Sequence, residues 1–249
     1  MESKTLLVAC AMNVEAEIFI NSLSNVKETK IAGFSFYEGV YDDCRMVVLV
    51  SGPGVINMAS ALTLGINYYK PIYILNYGVV GGLGNNIHQG DIIICNECLN
   101  IGSYMSSNLC KGDGVNFNKW DFITFTDGGI DEFFVWKCDN KLLELVIRIK
   151  NNYDKGNVFV GRIGSSDAWD KEYDKLVMLR DRYDIICEDM ECISVYQVSN
   201  MFDIPCLSVK VVSDNSIILE SYDKGVLDKS KKFIIDILKV FCDELKNEN

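Results

Sequence analysis

The chain has 249 residues, 49% of them hydrophobic, with a formal net charge of −11 and a pI near 4.6. That length suffices for one large α/β domain with a substantial core. The acidic balance argues against a nucleic-acid backbone or an anionic membrane as partner, since both attract patches of Lys and Arg, and it leaves a small molecule or another protein. Only three prolines occur, and no repeat, low-complexity tract or Gly/Ser-rich linker interrupts the chain, so residues 1–249 are expected to form one domain. The opening "MESKTLLVACAMNVEAE" is not read as a signal peptide: its apolar run is short, Glu2 spoils a basic leader, and the same residues make a good buried strand. No run reaches the length of a membrane span. The ten cysteines, at 10, 44, 95, 98, 110, 138, 187, 192, 206 and 242, are scattered and read as buried thiols of a cytoplasmic protein.

In chain order, Thr5 to Met12 is an unbroken apolar run, as expected of a strand covered on both faces, and "NVEAEIFINSL" continues as a helix. "FSFYEGV" and "RMVVLVSG" read as two strands joined through "YDDC". From Val55 to Tyr69 the apolar residues Ile56, Ala59, Leu62, Leu64 and Ile66 recur near helical spacing, and Pro71 marks the stop. "PIYILNYG" and "GDIIICNE" are strands of the buried type. "NKLLELVIRIKNN" is a helix, "NVFVGRIGSS" a strand, "KEYDKLVMLRDRY" a helix, "YDII" a short strand leading into a helix from Ile193 to Met201, and "PCLSVKVVSD" a final strand. The closing helix puts Ile234, Ile237, Leu238, Phe241 and Leu245 on one face. Strands alternating with helices predict an α/β fold around a mostly parallel or mixed twisted sheet.

Each strand's carboxyl end shows a pattern. Asn13 and Glu15 follow the first, "SGPG" the "VVLV" strand, "YGVVGG" the "YILN" strand, "CEDMEC" the "YDII" strand and "SDNS" the last. Glycines and carboxylates thus gather on one rim. Glycine there lets backbone N–H groups approach a ligand, although such strings also serve as tight connections. The acids of "CEDMEC" can complement a helix dipole or face a ligand crevice, and the stretch alone leaves both open.

Taken together, "VACAMNVEAE", "SGPGVINMASA", "YGVVGGLGNNIHQGDIII", "SSDAW", "EDMECISVY" and "VVSD" resemble, in order and spacing, the nucleoside phosphorylase superfamily. They are most similar to its methylthioadenosine/S-adenosylhomocysteine nucleosidase branch. The resemblance covers nearly the whole chain and is thinnest from about Leu99 to Phe134. It implies hydrolysis of the N-glycosidic bond of an adenine nucleoside, with no cofactor and with a homodimer whose pocket is shared across the interface. It implies that Glu15 activates the attacking water, that Glu191 binds the ribose hydroxyls with Met190 beneath the sugar, and that Asp214 protonates N7 of the leaving base, with Ser213 beside it. Trp169 falls where a phenylalanine usually stacks on the base, and Asp170 where the backbone meets the purine edge; Met12 and Gly81 complete the binding set. The chemistry asks for such groups: an oxocarbenium-like sugar rewards nearby negative charge, adenine leaves only with a proton, and water on the opposite face needs a base. Glu188 is expected to be solvated charge at a helix start.

Two departures stand out. Val79 replaces a usual serine in the glycine loop, and Lys210 replaces a usual arginine, both on the water side of the ribose; valine offers no hydrogen bond and lysine no planar fork. A phosphorylase needs basic residues for its phosphate, and none of Arg45, Arg148, Arg162, Arg180 and Arg182 lies in the first-strand or glycine loop, so hydrolysis is preferred. A purine nucleoside phosphorylase, or a nucleoside-binding homologue that has lost turnover, remain the alternatives. His88, the only histidine, precedes a strand and is expected as an ordinary turn residue on the rim opposite the site. "CNEC", with Cys110 as a candidate third ligand, has the spacing of half a zinc site, but no second pair or histidine lies close in sequence and no metal is expected. The aromatic segment Phe117 to Phe125 suits either an interface or the core.

Overall fold

The first apolar run forms β1, Thr5–Cys10, and all of its side chains are buried. The computed structural model describes residues 4–126, 129–132, 134–169 and 171–248. After β1 come α1 (Asn13–Ser22), β2 (Ser24–Ile31), β3 (Phe34–Tyr41), β4 (Cys44–Val50), α2 (Val55–Tyr69), β5 (Tyr73–Gly82) and β6 (Ile92–Asn100). An excursion of β7 (Tyr104–Ser106), β8 (Trp120–Thr126) and β9 (Gly129–Glu132) makes a separate three-stranded sheet. The chain then returns through β10 (Trp136–Lys137), α3 (Asn140–Arg148), β11 (Val158–Ser165), α4 (Tyr173–Tyr183), β12 (Ile185–Asp189), α5 (Cys192–Met201), β13 (Cys206–Asn215) and α6 (Val226–Asn247).

The expected α/β class is observed, and the main sheet is mixed. β1 lies between β4 and β5, parallel to both, and β13 runs parallel to β5. β6 runs antiparallel to β13 but parallel to β11. β11 is parallel to β12, and β12 returns antiparallel to the end of β5, pairing Cys187 with Gly82 and Glu188 with Gly81. Strands β5, β13, β6, β11 and β12 therefore close into a ring, with β1, β4, β3 and β2 fanning out from β5. Because of this closure "GVVGG" is not a turn: it is the final stretch of β5, paired on one side by β13 and on the other by β12.

Ring closure also corrects the position of His88. The β5–β6 connection stays at the end where β5 and β13 finish, since Gly90 N–H donates to Val212 O at 2.9 Å and Gln89 Nε2 donates to Ser213 O at 3.0 Å. His88 thus stands on the same rim as Asp214, with Nδ1 2.9 Å from Glu220 Oε1.

The helices cover the sheet with their apolar faces. All five residues expected on the face of α6 are buried, together with Phe233. On α2 the buried face is Met58, Ala61, Leu62, Gly65, Ile66 and Tyr69, whereas Ile56 is 74% exposed, so the helix is rotated from the expected stripe. Gly65 sets this rotation by a close approach: a Cβ there would lie 2.9 Å from Leu7 Cδ1. The helix ends on Lys70 in the left-handed conformation, immediately before Pro71.

In the excursion, Phe122 and Ile123 are buried, while Trp120 stacks on Tyr104 with ring centroids 3.9 Å apart. No helix among the described residues is long and apolar enough to cross a membrane.

Candidate active site

Glu15 does not project from a loop. It is the third residue of α1, and its carboxylate folds back over the helix start. Oε2 accepts from the N–H of Ala11 at 3.0 Å and of Met12 at 2.8 Å, and Oε1 accepts from Val79 N–H at 3.0 Å. The helix N-terminus and β5 thus hold one buried carboxylate with three backbone donors. Burial pushes its pKa up, opposed by the charge of Lys210 and by those N–H groups. Gly78 is required here, because a Cβ would come within 2.7 Å of Glu15 Oε1. The contact from residue 79 is made by the backbone, so valine in place of serine leaves it intact.

Glu191 occupies the position before α5 but turns its side chain away from that helix, and Oε1 accepts from Gly54 N–H at 2.8 Å. Burial raises its pKa to about 7; Asp189 and Glu15 add to the rise, while Lys210 and the Gly54 N–H oppose it. Gly54 adopts φ +107°, which favours glycine, and its neighbour Val55 donates to Asp167 Oδ1 at 2.6 Å. Two of the N–H groups at the start of α2 are therefore taken by the protein's own carboxylates, where a free helix would attract an anion.

Lys210 lies mid-strand in β13 and is 1% exposed. Its Nζ is 2.8 Å from Asp189 Oδ2, and Asp189 also accepts from Cys192 N–H at 3.1 Å. Burial alone would lower the lysine pKa, but Asp189 foremost, and also Glu191 and Glu15, hold it well above its usual value. One cation thus serves three buried carboxylates.

At the far end of β13 a bulge between Val212 and Asp214 re-aims the strand. Asp214 is buried, with Ser213 Oγ donating to its Oδ1 at 2.8 Å and Lys171 Nζ 3.7 Å from its Oδ2. A Cβ on Gly81 would lie 3.9 Å from both Asp214 oxygens, so Gly78 and Gly81 set Glu15 and Asp214 along the same strand. Trp169 is 67% exposed, edge-on to Tyr222 with centroids 6.1 Å apart. Burial first, then the charges of Glu15 and Asp214, push the Tyr222 hydroxyl pKa up. Met12 and Met190 are half-buried beside Glu15 and Glu191 in sequence. Asp170 lies outside the described residues.

Glu188 is not at a helix start. It belongs to β12, half-buried and opposite Gly81, because α5 begins only at Cys192. Sequence reasoning assigned no role to Asp189, Asp167 or Lys171. Period-two alternation in β12, which buries Ile185, Cys187 and Asp189, was the available signal for the first. Cys95 and Cys98 are buried and Cys110 is exposed. Among the described residues no group of three or more His, Cys, Asp or Glu side chains could hold a metal ion.

The fold agrees with comparisons to known proteins. The model of the phosphorylase superfamily matches residues 5–241. The chain belongs to that superfamily. Among its members, a 5'-methylthioadenosine/S-adenosylhomocysteine nucleosidase of Bacillus pumilus is 27% identical over 210 residues, covering 84% of this chain and 85% of the relative. The nucleosidase of the same name from Listeria monocytogenes is 29% identical over 244 residues, covering 94% and 99%. The fold of this superfamily member matches the Neisseria meningitidis nucleosidase crystallised with methylthio-immucillin-A, with a TM-score of 0.76 at 24% identity, covering 95% and 99%.

Proposed function

We infer that this phosphorylase-superfamily protein is an N-ribosyl hydrolase, cleaving the glycosidic bond of adenine nucleosides of the methylthioadenosine and S-adenosylhomocysteine type. Glu15, held by three N–H donors, takes a proton from water on one face of the sugar. Glu191 binds the ribose hydroxyls, and its charge stabilises the oxocarbenium-like state. Asp214 delivers a proton to N7 of the departing base, with Ser213 fixing its rotamer. Trp169 offers the base a ring to stack on, and Met12, Met190, Val79 and Gly81 line the pocket.

The observation that carries hydrolysis over phosphorolysis is the occupied start of α2. Gly54 and Val55 N–H already bind Glu191 and Asp167, so two carboxylates of the protein itself stand where a phosphate would be drawn to this helix start. The arginines offer no substitute: Arg45, Arg148, Arg162, Arg180 and Arg182 pair with Glu38, Glu144, Glu97, Asp181 and Asp121. Lys210 is committed to Asp189.

The reading extends to a cytoplasmic homodimer. Ten free thiols support a reducing compartment, and the exposed Ile56 and Tyr68 on α2 and Met201 on α5 support an apolar contact face.

The decisive assay is adenine release from methylthioadenosine, adenosylhomocysteine and adenosine, with and without phosphate, beside Glu191→Gln. Release that does not need phosphate and falls at least about 100-fold in the variant is expected. Nucleoside binding without release would instead identify a sensing protein.

A further inference from the structure

The base end of the pocket carries one cation that this reaction does not use. Lys171 Nζ lies 3.7 Å from Asp214 Oδ2 and 5.8 Å from the centroid of the Trp169 ring, while Ser213 engages Asp214 Oδ1. The ammonium thus stands beside an oxygen of the proton-delivering carboxylate and next to the stacking surface. Lys171 is half exposed, so its pairing with Asp214 is weak and yields to an arriving base.

An ammonium offers three donors and no acceptor. On the purine edge N7 has the 6-substituent as its neighbour. That edge presents two acceptors in a 6-oxopurine, but an acceptor and a donor in adenine. Asp214 in its acid form donates to N7 of either base. The second donor, from Lys171, satisfies a 6-oxo group and finds no partner on adenine's amino group. It also faces an oxygen that gains negative charge as a 6-oxopurine departs, so the contact strengthens in the transition state.

We propose that Lys171 is a specificity-determining residue that gives the enzyme a further activity, cleavage of 6-oxopurine nucleosides alongside adenine nucleosides. The proposal rests on the reading of Asp214 as the acid at N7. Its test is kcat/KM for base release from inosine and from adenosine, without phosphate, on the unaltered chain, Lys171→Met and Lys171→Arg. The unaltered protein is expected to release hypoxanthine. Lys171→Met lowers the inosine-to-adenosine ratio about 5- to 20-fold, the lower part of the range for one base-edge contact, and Lys171→Arg restores most of it. Adenine release without hypoxanthine release, or a ratio unmoved by Lys171→Met, overturns the proposal and leaves the nucleosidase reading standing. Release of neither base overturns the proposal, and it overturns the nucleosidase reading as well only where methylthioadenosine is also left uncleaved.

Discussion

At the proposed sugar end of the site, Glu15, Glu191, Asp189 and Lys210 are each less than 10% exposed, and each has a hydrogen-bond or charge partner. At the base end, Trp169 is 67% exposed and Lys171 reaches Asp214 from solvent across 3.7 Å. The contrast teaches which half of the reaction is built into the fold. Stabilising a sugar cation and orienting water need charges that stay fixed in a poorly solvated place. Recognising a base needs a flat surface and a few edge contacts that assemble on arrival. The first half is expensive to disturb and the second is adjustable.

The largest test of that contrast removes the shared cation. Lys210→Met leaves Asp189, Glu15 and Glu191 buried without their counter-charge, and urea unfolding is expected to show a loss of about 3–5 kcal/mol. A loss below about 1 kcal/mol would mean that the sugar end is not held by charge. Adding Asp189→Asn to that variant should recover part of the loss, because the orphaned carboxylate goes with it.

Next in size is the pH dependence of the unliganded protein. Glu191 titrates near 7 in the fold against an ordinary value of 4.5. Between those values the folded state holds a proton that the unfolded chain has released, so protons favour the fold. Stability therefore falls as pH rises from about 4.5 to about 7, by up to about 3 kcal/mol, and levels beyond. Glu15, raised in the same direction by burial, adds to the slope. Denaturation at a series of pH values should show it, and Glu191→Gln should flatten it in part, because Asp189, pushed up to about 6 chiefly by burial, contributes in the same direction.

The smallest effect on stability is expected at the base end. Trp169→Ala should change unfolding by less than about 0.5 kcal/mol, as an exposed site does. It should raise KM about tenfold through lost stacking. A stability loss like that of Lys210→Met would erase the distinction between the two ends.

Much of the sugar end was legible in the sequence because buried strands are apolar runs, and a carboxylate at the end of such a run has few structural uses. Glu15 and Glu191 each follow one, and at the base end Asp214 closes another. The partner of Lys210 was not legible, since three acids stand within four residues at Glu188, Asp189 and Glu191 and only the register of β12 decides which one turns inward. β2 was missed for a related reason. "SNVKETKI" is an outer strand, mostly exposed, and has no apolar alternation to announce it. The orientation of β6, and with it the side on which His88 falls, depends on which strands pair, and periodicity within one strand carries no information about its neighbour. At the base end, Lys171 lay two residues beyond the recognised "SSDAW" stretch, and its approach to Asp214, which follows the bulge in β13, depends on tertiary structure.

The ring of β5, β13, β6, β11 and β12 bears on how the molecule opens. A strand inside a closed ring has both neighbours occupied, so it cannot peel away as an edge strand can. Amides near Val79, Asp189 and Lys210 should exchange with solvent only when the whole ring comes apart, whereas those of β2 fray independently. The carboxylates of the sugar end are thereby tied to global unfolding. Their geometry survives the local fluctuations that let a nucleoside in and a free base out.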